Sequence, residues 1–345
     1  MHQLRDTLLS SSPQGPPELT MLDSQALDRQ DVRECVARGE LEELRGAAFH
    51  NRTWIVTERY CSGDGVDSLV GYLHSLWHMY YQLARHTSHA TTDHDRLVLD
   101  VVRIQGLGPL TRPVAGNYGI DIARTVEGTL WNDLPFLATD MTGFWIESCA
   151  TMSGAQRLNL ASFLAKLAST RVGKDRLCQV ALVLFRATFE ERGPDLCILD
   201  QAEDAEDTRR SIRDLSIAQL LPSVCAWIKE AGHNLVLLSD VYWNDCPSAI
   251  AQGGEIFTES EWMYWLKRLH EIKQEAKQAN ETRLEEQASE AIERMSKNAK
   301  ERNSGIVRAY RSGGEVLRND KHLSCLGDDS TAGGDESTTG GDEAE

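Results

Sequence analysis

This chain of 345 residues has no paired cysteine motif, no long apolar run and no recognised catalytic signature. Its eight cysteines (Cys35, Cys61, Cys149, Cys178, Cys197, Cys225, Cys246 and Cys325) are scattered without a Cys-x-x-Cys spacing. An even count implies a disulfide framework only in a small secreted chain. Reduced thiols are expected, with Cys178 and Cys225 serving on helix faces as small hydrophobes. The N-terminus has no apolar signal core, and no apolar run approaches the roughly 20 residues of a membrane span. The expectation is therefore a protein neither secreted nor embedded, resident in the cytoplasm or nucleus, in which the sequons at Asn51 and Asn280 carry no meaning. Basic residues are also too few to balance the acids. The net charge is −17, and from Gly327 to Glu345 seven acids stand with no base, leaving −10 on the remainder. Such a surface repels phosphate polymers, which excludes general binding to nucleic acid or to anionic membranes.

What is present is helical periodicity. At 41% hydrophobic residues there is enough apolar material for a real core. The centre of the chain, Ser153 to Pro194, reads as two helices joined at Gly173, opened by a Ser153–Gln156 capping box. The second, Leu177 to Phe189, is apolar almost all round, so other elements must surround it. Upstream, Ser24 to Leu44 is charged and weakly amphipathic, and Thr53-Trp54-Ile55-Val56-Thr57 fits a strand or a helix. Asp67 is placed to cap a helix carrying Leu69, Leu73, Leu76, Trp77 and Tyr80 on one face. Thr92 with Asp95 suggests an acidic capping box before Leu97, Val101 and Ile104, and Gly106 to Pro109 stops that helix. Leu130 to Ile146 reads as the next helix, with Pro135 in its first turn. Asp200 to Arg210 reads as a mixed-charge linker. Ile212 to Ala231 follows, with Pro222 at a start or kink and Gly232 as its end. Thr258 and Glu261 open a last helix that runs to about Arg302, and the segment beyond Asn303 is too poor in apolar residues to fold by composition.

Several landmarks recur in a fixed order: Leu76-Trp77, Asp95 with Leu97-Val98, Leu130-Trp131-Asn132-Asp133-Leu134-Pro135, Asn159-Leu160 with Phe163, and Ala187-Thr188-Phe189-Glu190. Trp227-Ile228 with Ala231-Gly232, then Gly254 with Phe257, Trp262, Trp265 and Arg268-Leu269, complete the series. In these the sequence resembles the domain of unknown function 3632 family, a group of mainly fungal proteins, from about Asp67 to Ile272. The resemblance implies a helical, intracellular fungal protein. It brings no reaction and no catalytic residues.

Candidate chemistry is sparse. His74 and His78 stand four apart, but Ser75 occupies the position where a metalloprotease helix needs glutamate, so a solvated face is the expected role. His86, His89 and His94 with Asp93 and Asp95 lie in a polar connection suited to capping and solvation. Gly63-Asp64-Gly65 and Gly106-Leu107-Gly108 lack a third glycine before a helix, and there is no Gly-x-Ser-x-Gly elbow, P-loop or Asp-Asp-x-x-Asp pair. The tryptophans read as core. The polar residues that stand out are Gln179, Arg186 and Glu190, on the helix that must be enclosed. A pair formed by Arg186 and Glu190 one turn apart is the expected structural role, and lining an internal pocket is the functional one.

The sequence therefore predicts an all-α, multi-helix globular bundle with a long C-terminal helix and disordered termini. Its expected divisions are a flexible N-terminus over 1–22, a weakly helical segment over 23–64, a helical core over 65–275, an extended charged helix over 276–302 and an acidic tail over 303–345. The function expected is that of a non-enzymatic interaction or scaffold protein, meeting a partner or a second copy through the C-terminal helix. No metal, cofactor, nucleic acid or membrane is implied. The alternative is a small-molecule binder or enzyme with a pocket among the central helices.

Overall fold

Short local signals set the helix boundaries along the chain. The computed structural model describes residues 21–114, 119–190, 205–241 and 257–327. Gly193-Pro194, Cys197, Cys246, Gly254, the first 20 residues, residues 200–204 of the expected linker and the acids after Gly327 lie outside the described residues. Helix α1 (Met21–Arg38) ends at Gly39, whose φ of +76° turns the chain. Then α2 (Leu41–Gly46), a π-helical turn (Ala47–Arg52) and α3 (Thr53–Cys61) form one helical run, which resolves the strand-or-helix ambiguity. Asp67 does not cap: it lies in a 3₁₀ turn (Val66–Leu69) ahead of α4 (Val70–His86). Helix α5 (Thr92–Gly106) is capped at Thr91 without a side-chain bond. The expected Thr92–Asp95 box is absent because the helix starts one residue earlier, with Thr91 as its cap, and Asp95 pairs with Lys166 at 2.7 Å.

The helix predicted from Leu130 begins later, as α6 (Leu137–Ser148). Before it run two short hairpins, β1 (Thr111–Pro113) with β2 (Ile120–Ile122) and β3 (Arg124–Thr125) with β4 (Gly128–Thr129). In the first, Thr111 faces Ile122 and Pro113 faces Ile120. Trp131, Leu134 and Phe136 take left-handed φ values of 62°, 47° and 67°, which no α-helix accommodates. Three bonds hold them there. Asp133 Oδ2 accepts the Thr129 N–H at 2.8 Å, Trp77 Nε1 donates to the Pro135 carbonyl at 2.8 Å, and Glu127 Oε2 accepts the Phe136 N–H at 3.1 Å.

Next come α7 (Gly154–Ser169), opened by the predicted Ser153–Gln156 box, and α8 (Cys178–Phe189), reached through Gly173 at φ +74°. Helix α9 (Ile217–Asp240) begins at its own Ser216–Gln219 box and runs through Pro222 and on past Gly232. Gly232 is thus not a terminator but a point of close approach: a Cβ there would lie 2.1 Å from Asn298 Nδ2. Helix α10 (Glu259–Ala279) starts at the predicted Thr258–Glu261 box. The long C-terminal helix is divided. Asn280, left-handed at φ 59°, ends α10, and α11 (Thr282–Glu301) folds back along it. Order continues past Asn303 in α12 (Gly305–Ser312) and α13 (Gly314–Arg318), where Ile306, Val307, Tyr310, Leu323 and Leu326 are buried.

The fold is all-α. Helices α4, α7, α9, α11 and α10 pack in succession, each on the next, with α1 covering α4 and α8 lying on α9. Trp77, Trp131, Trp145, Trp227, Trp262 and Trp265 are buried in the one core that runs through all of them. Leu284, Ala288, Ala291 and Met295, the narrow apolar seam of α11, are buried in that core as well. Each large apolar side chain so removed from water stabilises the fold by about 1.5–3 kcal/mol before chain entropy is charged against it.

Candidate functional site

The polar residues of α8 do not share one setting. Gln179 is buried at 3% exposure, Arg186 is half-buried, and Glu190 is exposed at the helix end. With Val183, the last two mark the one open stripe of α8 at spacings of three and four. Both reach α10. Arg186 donates to Glu261 Oε1 from Nη2 at 2.8 Å and from Nε at 3.2 Å. The other oxygen of Glu261 accepts the Thr258 N–H at 3.0 Å, so one carboxylate caps α10 and ties it to α8. Glu190 Oε1 accepts from Trp265 Nε1 at 2.6 Å, and Trp265 stacks on Phe257 with Phe185 against its edge. These contacts align two helices.

The histidines are less exposed than their spacing suggests, because α1 lies over the face of α4 that carries them. His74 Nδ1 meets Asp140 Oδ2 of α6 at 2.7 Å, and its hydrogen bond to that carboxylate raises the imidazole pKa. His78 packs against Tyr81 and Phe144, and burial, reinforced by Arg29 and Arg33, pushes it down to about 4. His89 and His94 stitch the α4–α5 connection onto α7. The His89 N–H donates to Asn159 Oδ1 at 2.9 Å, and His94 Nε2 lies 3.0 Å from the Asn159 carbonyl. Burial also pushes His94 down to about 4, so neutral His94 keeps its Nε2 proton for that carbonyl and offers Nδ1 to Lys166 Nζ, 3.3 Å away. Among the described residues no group of three or more His, Cys, Asp or Glu is placed to hold a metal ion. Their six cysteines are free, and burial pushes the Cys225 thiol up to about 12.

A more open feature lies where α3 passes the end of α5. Val56 and Tyr60, one turn apart, face the core, which points Trp54 outward at 65% exposure. Leu107, at the end of α5, is 61% exposed. Between them is a hollow of about 350 Å³ with Phe49 and the buried Ile104 in its lining and His50 and Arg103 among its polar groups. The π-helical turn Ala47–Arg52 supplies Phe49 and His50. Such turns recur at functional positions of helices. In the sequence Trp54 belongs to a run that fits a strand or a helix, and the signal for the hollow is a tryptophan out of register with Val56 and Tyr60.

Among the described residues no helix is long and apolar enough to cross a membrane. A relative from Penicillium oxalicum, named oxopyrrolidines biosynthesis cluster protein G, is 55% identical over 340 residues, covering 94% of each chain. No solved structure matches the chain. The model of a family described as a protein of unknown function (DUF3632) matches residues 77–269, from Trp77 in α4 to Leu269 in α10. That span exceeds half of the sequence and holds the packed succession from α4 to α10, and the chain belongs to the DUF3632 family.

Proposed function

We propose that this chain is an accessory protein of fungal small-molecule biosynthesis that acts by binding a partner protein, not by making or breaking a bond. The setting is suggested by the name of the relative, which assigns that protein to an oxopyrrolidines biosynthesis cluster. The binding role rests on the hollow beside Trp54. A tryptophan and a leucine both more than 60% exposed, either side of a ready concavity, form a small apolar anchor site. Aromatic anchors in pockets dominate protein interfaces. The partner it fits carries an apolar side chain to fill the hollow and a carboxylate beside it to meet His50 and Arg103. This relocates the contact first expected on the C-terminal helix, since the apolar seam of α11 is already covered by α9 and α10.

The test is pairwise binding, by biolayer interferometry, of the full chain to each protein encoded beside its gene. One of them is expected to bind, and Trp54→Ser and Leu107→Ser each to weaken that binding by about tenfold or more, the scale of an interface hot spot. Both side chains are exposed, so neither variant disturbs the core. If no such protein binds, or if the variants bind equally well, the reading fails. A second reading has the mainly apolar lining in its favour: 350 Å³ suits a small apolar metabolite. Quenching of Trp54 fluorescence by a pathway intermediate, with no protein bound, would select it.

A further inference from the structure

On the far side of the molecule, the α10–α11 hairpin and the chain after α13 border a shallow, open groove of about 320 Å³. Helix α10 gives it His270, Lys273 and Lys277 at spacings of three and four, which place them on one helical face. Lys321 and His322 approach from the last described turn, and Glu285 is the single carboxylate in the lining. Among the described residues, Lys273, Lys277 and Lys321 form no ion pair. The nearest acid in sequence is engaged elsewhere: Asp320 accepts from Lys267 Nζ at 3.1 Å and from the His322 N–H at 2.9 Å. Three ammoniums against one carboxylate leave two positive charges in a concavity of a chain whose net charge is −17.

We propose that this groove is a binding site for the phosphoryl group of a small phosphorylated molecule, seated between Lys273, Lys277 and Lys321. Charge and size select that class. A phosphate monoester brings about −1.5 to −2 charges, the amount the lining leaves unbalanced, whereas a monocarboxylate brings half of it. A volume of 320 Å³ lies at the small end of metabolite pockets, and the acidic body around it repels a polyanion such as RNA. A cation is excluded by the same three ammoniums. The wall is built before any ligand arrives: His270 Nε2 rests 3.8 Å from Cys325 Sγ, which receives Ser296 Oγ at 3.2 Å. Burial, His322 and Lys273 together hold His270 below its ordinary pKa, in keeping with a positive field lacking its counter-charge.

Isothermal titration calorimetry of the full chain with glycerol 3-phosphate, inorganic phosphate and lactate tests the site. Both phosphates are expected to bind one to one, and lactate more weakly than either. Lys273→Gln, Lys277→Gln and Lys321→Gln should each weaken phosphate binding about two- to fivefold, the worth of one solvent-facing ion pair, and the triple variant should abolish it. Lys229→Gln, on α9 outside the groove, should leave it unchanged. The proposal is overturned if neither phosphate binds at about 10 mM, if lactate binds as tightly, or if Lys229→Gln has the same effect as the groove variants. None of these outcomes bears on the hollow beside Trp54.

Discussion

Two polar regions of this molecule use the same side-chain types to opposite ends. At the junction of α5 with α2 and α7, each charge meets another. Asp100, at 0% exposure, accepts from Arg45 Nε at 2.6 Å, from Arg45 Nη2 at 3.2 Å and from Arg103 at 3.4 Å. Nearby, His94, Asn159, Lys166 and Asp95 form a continuous chain of contacts. In the groove between α10 and α11, three ammoniums meet no acceptor among the described residues. Buried charge persists only when paired, so the first region holds helices in register. Unpaired charge on a concave surface costs little while water reaches it, and it leaves the groove able to take an outside anion. The first region should therefore fail when a partner is removed, and the second should not.

The largest effect is expected at Asp100. Replacing it with alanine strands the Arg45 guanidinium in the seam between α2 and α5, with only Glu42 left beside it. Breaking a buried pair from one side costs about 3–5 kcal/mol. Arg45 keeps 19% of its side chain in water, which places the expectation at the lower end, about 3 kcal/mol by urea denaturation. The double variant Asp100→Leu with Arg45→Met should recover most of that loss, because it removes both charges together. If Asp100→Ala is neutral, the junction is not closed and the contrast with the groove collapses.

Acid should destabilise the fold as well. His78 and His94 are both pushed down to about 4, so the folded state keeps them neutral where the unfolded chain would protonate them. The sign follows from proton uptake by the unfolded state. Stability is complete above the unfolded value of 6.5, falls as pH drops towards 4, and falls no further on their account below it. At about 1.4 kcal/mol per unit, each histidine accounts for roughly 2–3 kcal/mol across that window. His94→Gln should flatten the pH dependence of urea stability by about half between pH 6.5 and 4, and an unchanged slope would mean that His94 is already open to protons.

The histidines also show where sequence reading stops. Periodicity placed the apolar faces of α4, α7, α8 and α10 correctly, and the boxes at Ser153 and Thr258 marked helix starts because those bonds close within four residues. His74 and His78 fall outside the apolar stripe of their own helix, so periodicity assigned them to water. What covers them is α1, a helix with no strong stripe of its own, and no local pattern reports that cover. Arg186 and Glu190 were legible as polar residues on an enclosed helix, but their partners Glu261 and Trp265 stand 75 residues away. The left-handed residues Trp131, Leu134 and Phe136 were hidden for the same reason: Thr57, Trp77 and Glu127 hold their segment from other elements. The break at Asn280 was in the sequence, since asparagine tolerates the left-handed conformation that ends a helix.

A smaller effect measures how rigid the packing of α9 on α11 is. At Gly232 on α9, alanine gains about 1 kcal/mol of helix propensity. Its Cβ, however, would lie 2.1 Å from Asn298 Nδ2, the side chain of a residue only 9% exposed on α11. Overpacking of this kind costs about 1–3 kcal/mol, so a net loss of about 1 kcal/mol is expected in thermal denaturation. Asn298→Ala should turn the same glycine substitution into a gain, a coupling that a double-mutant cycle reads directly. Additive effects would mean that α9 and α11 yield to each other, unlike the fixed pairing at Asp100.

The smallest effect carries the contrast furthest. Lys277→Gln removes a full charge, as Asp100→Ala does, yet Lys277 is exposed and unpaired among the described residues. In the groove it shares a helical face with Lys273, four residues before it, and Lys321 is among the other lining residues. Like charges at that spacing destabilise a helix by a few tenths of a kcal/mol, so the substitution should leave urea stability unchanged or raise it by about 0.2–0.5 kcal/mol. The gain should shrink in about 1 M salt, where the screening length falls to roughly 3 Å. A loss above about 1 kcal/mol would mean that Lys277 is paired like Asp100 and that the groove belongs with the closed junctions. A small salt-sensitive gain would instead show that the folded chain bears an electrostatic strain with no internal benefit, the condition under which an external anion would bind and be stabilised by all three lysines at once.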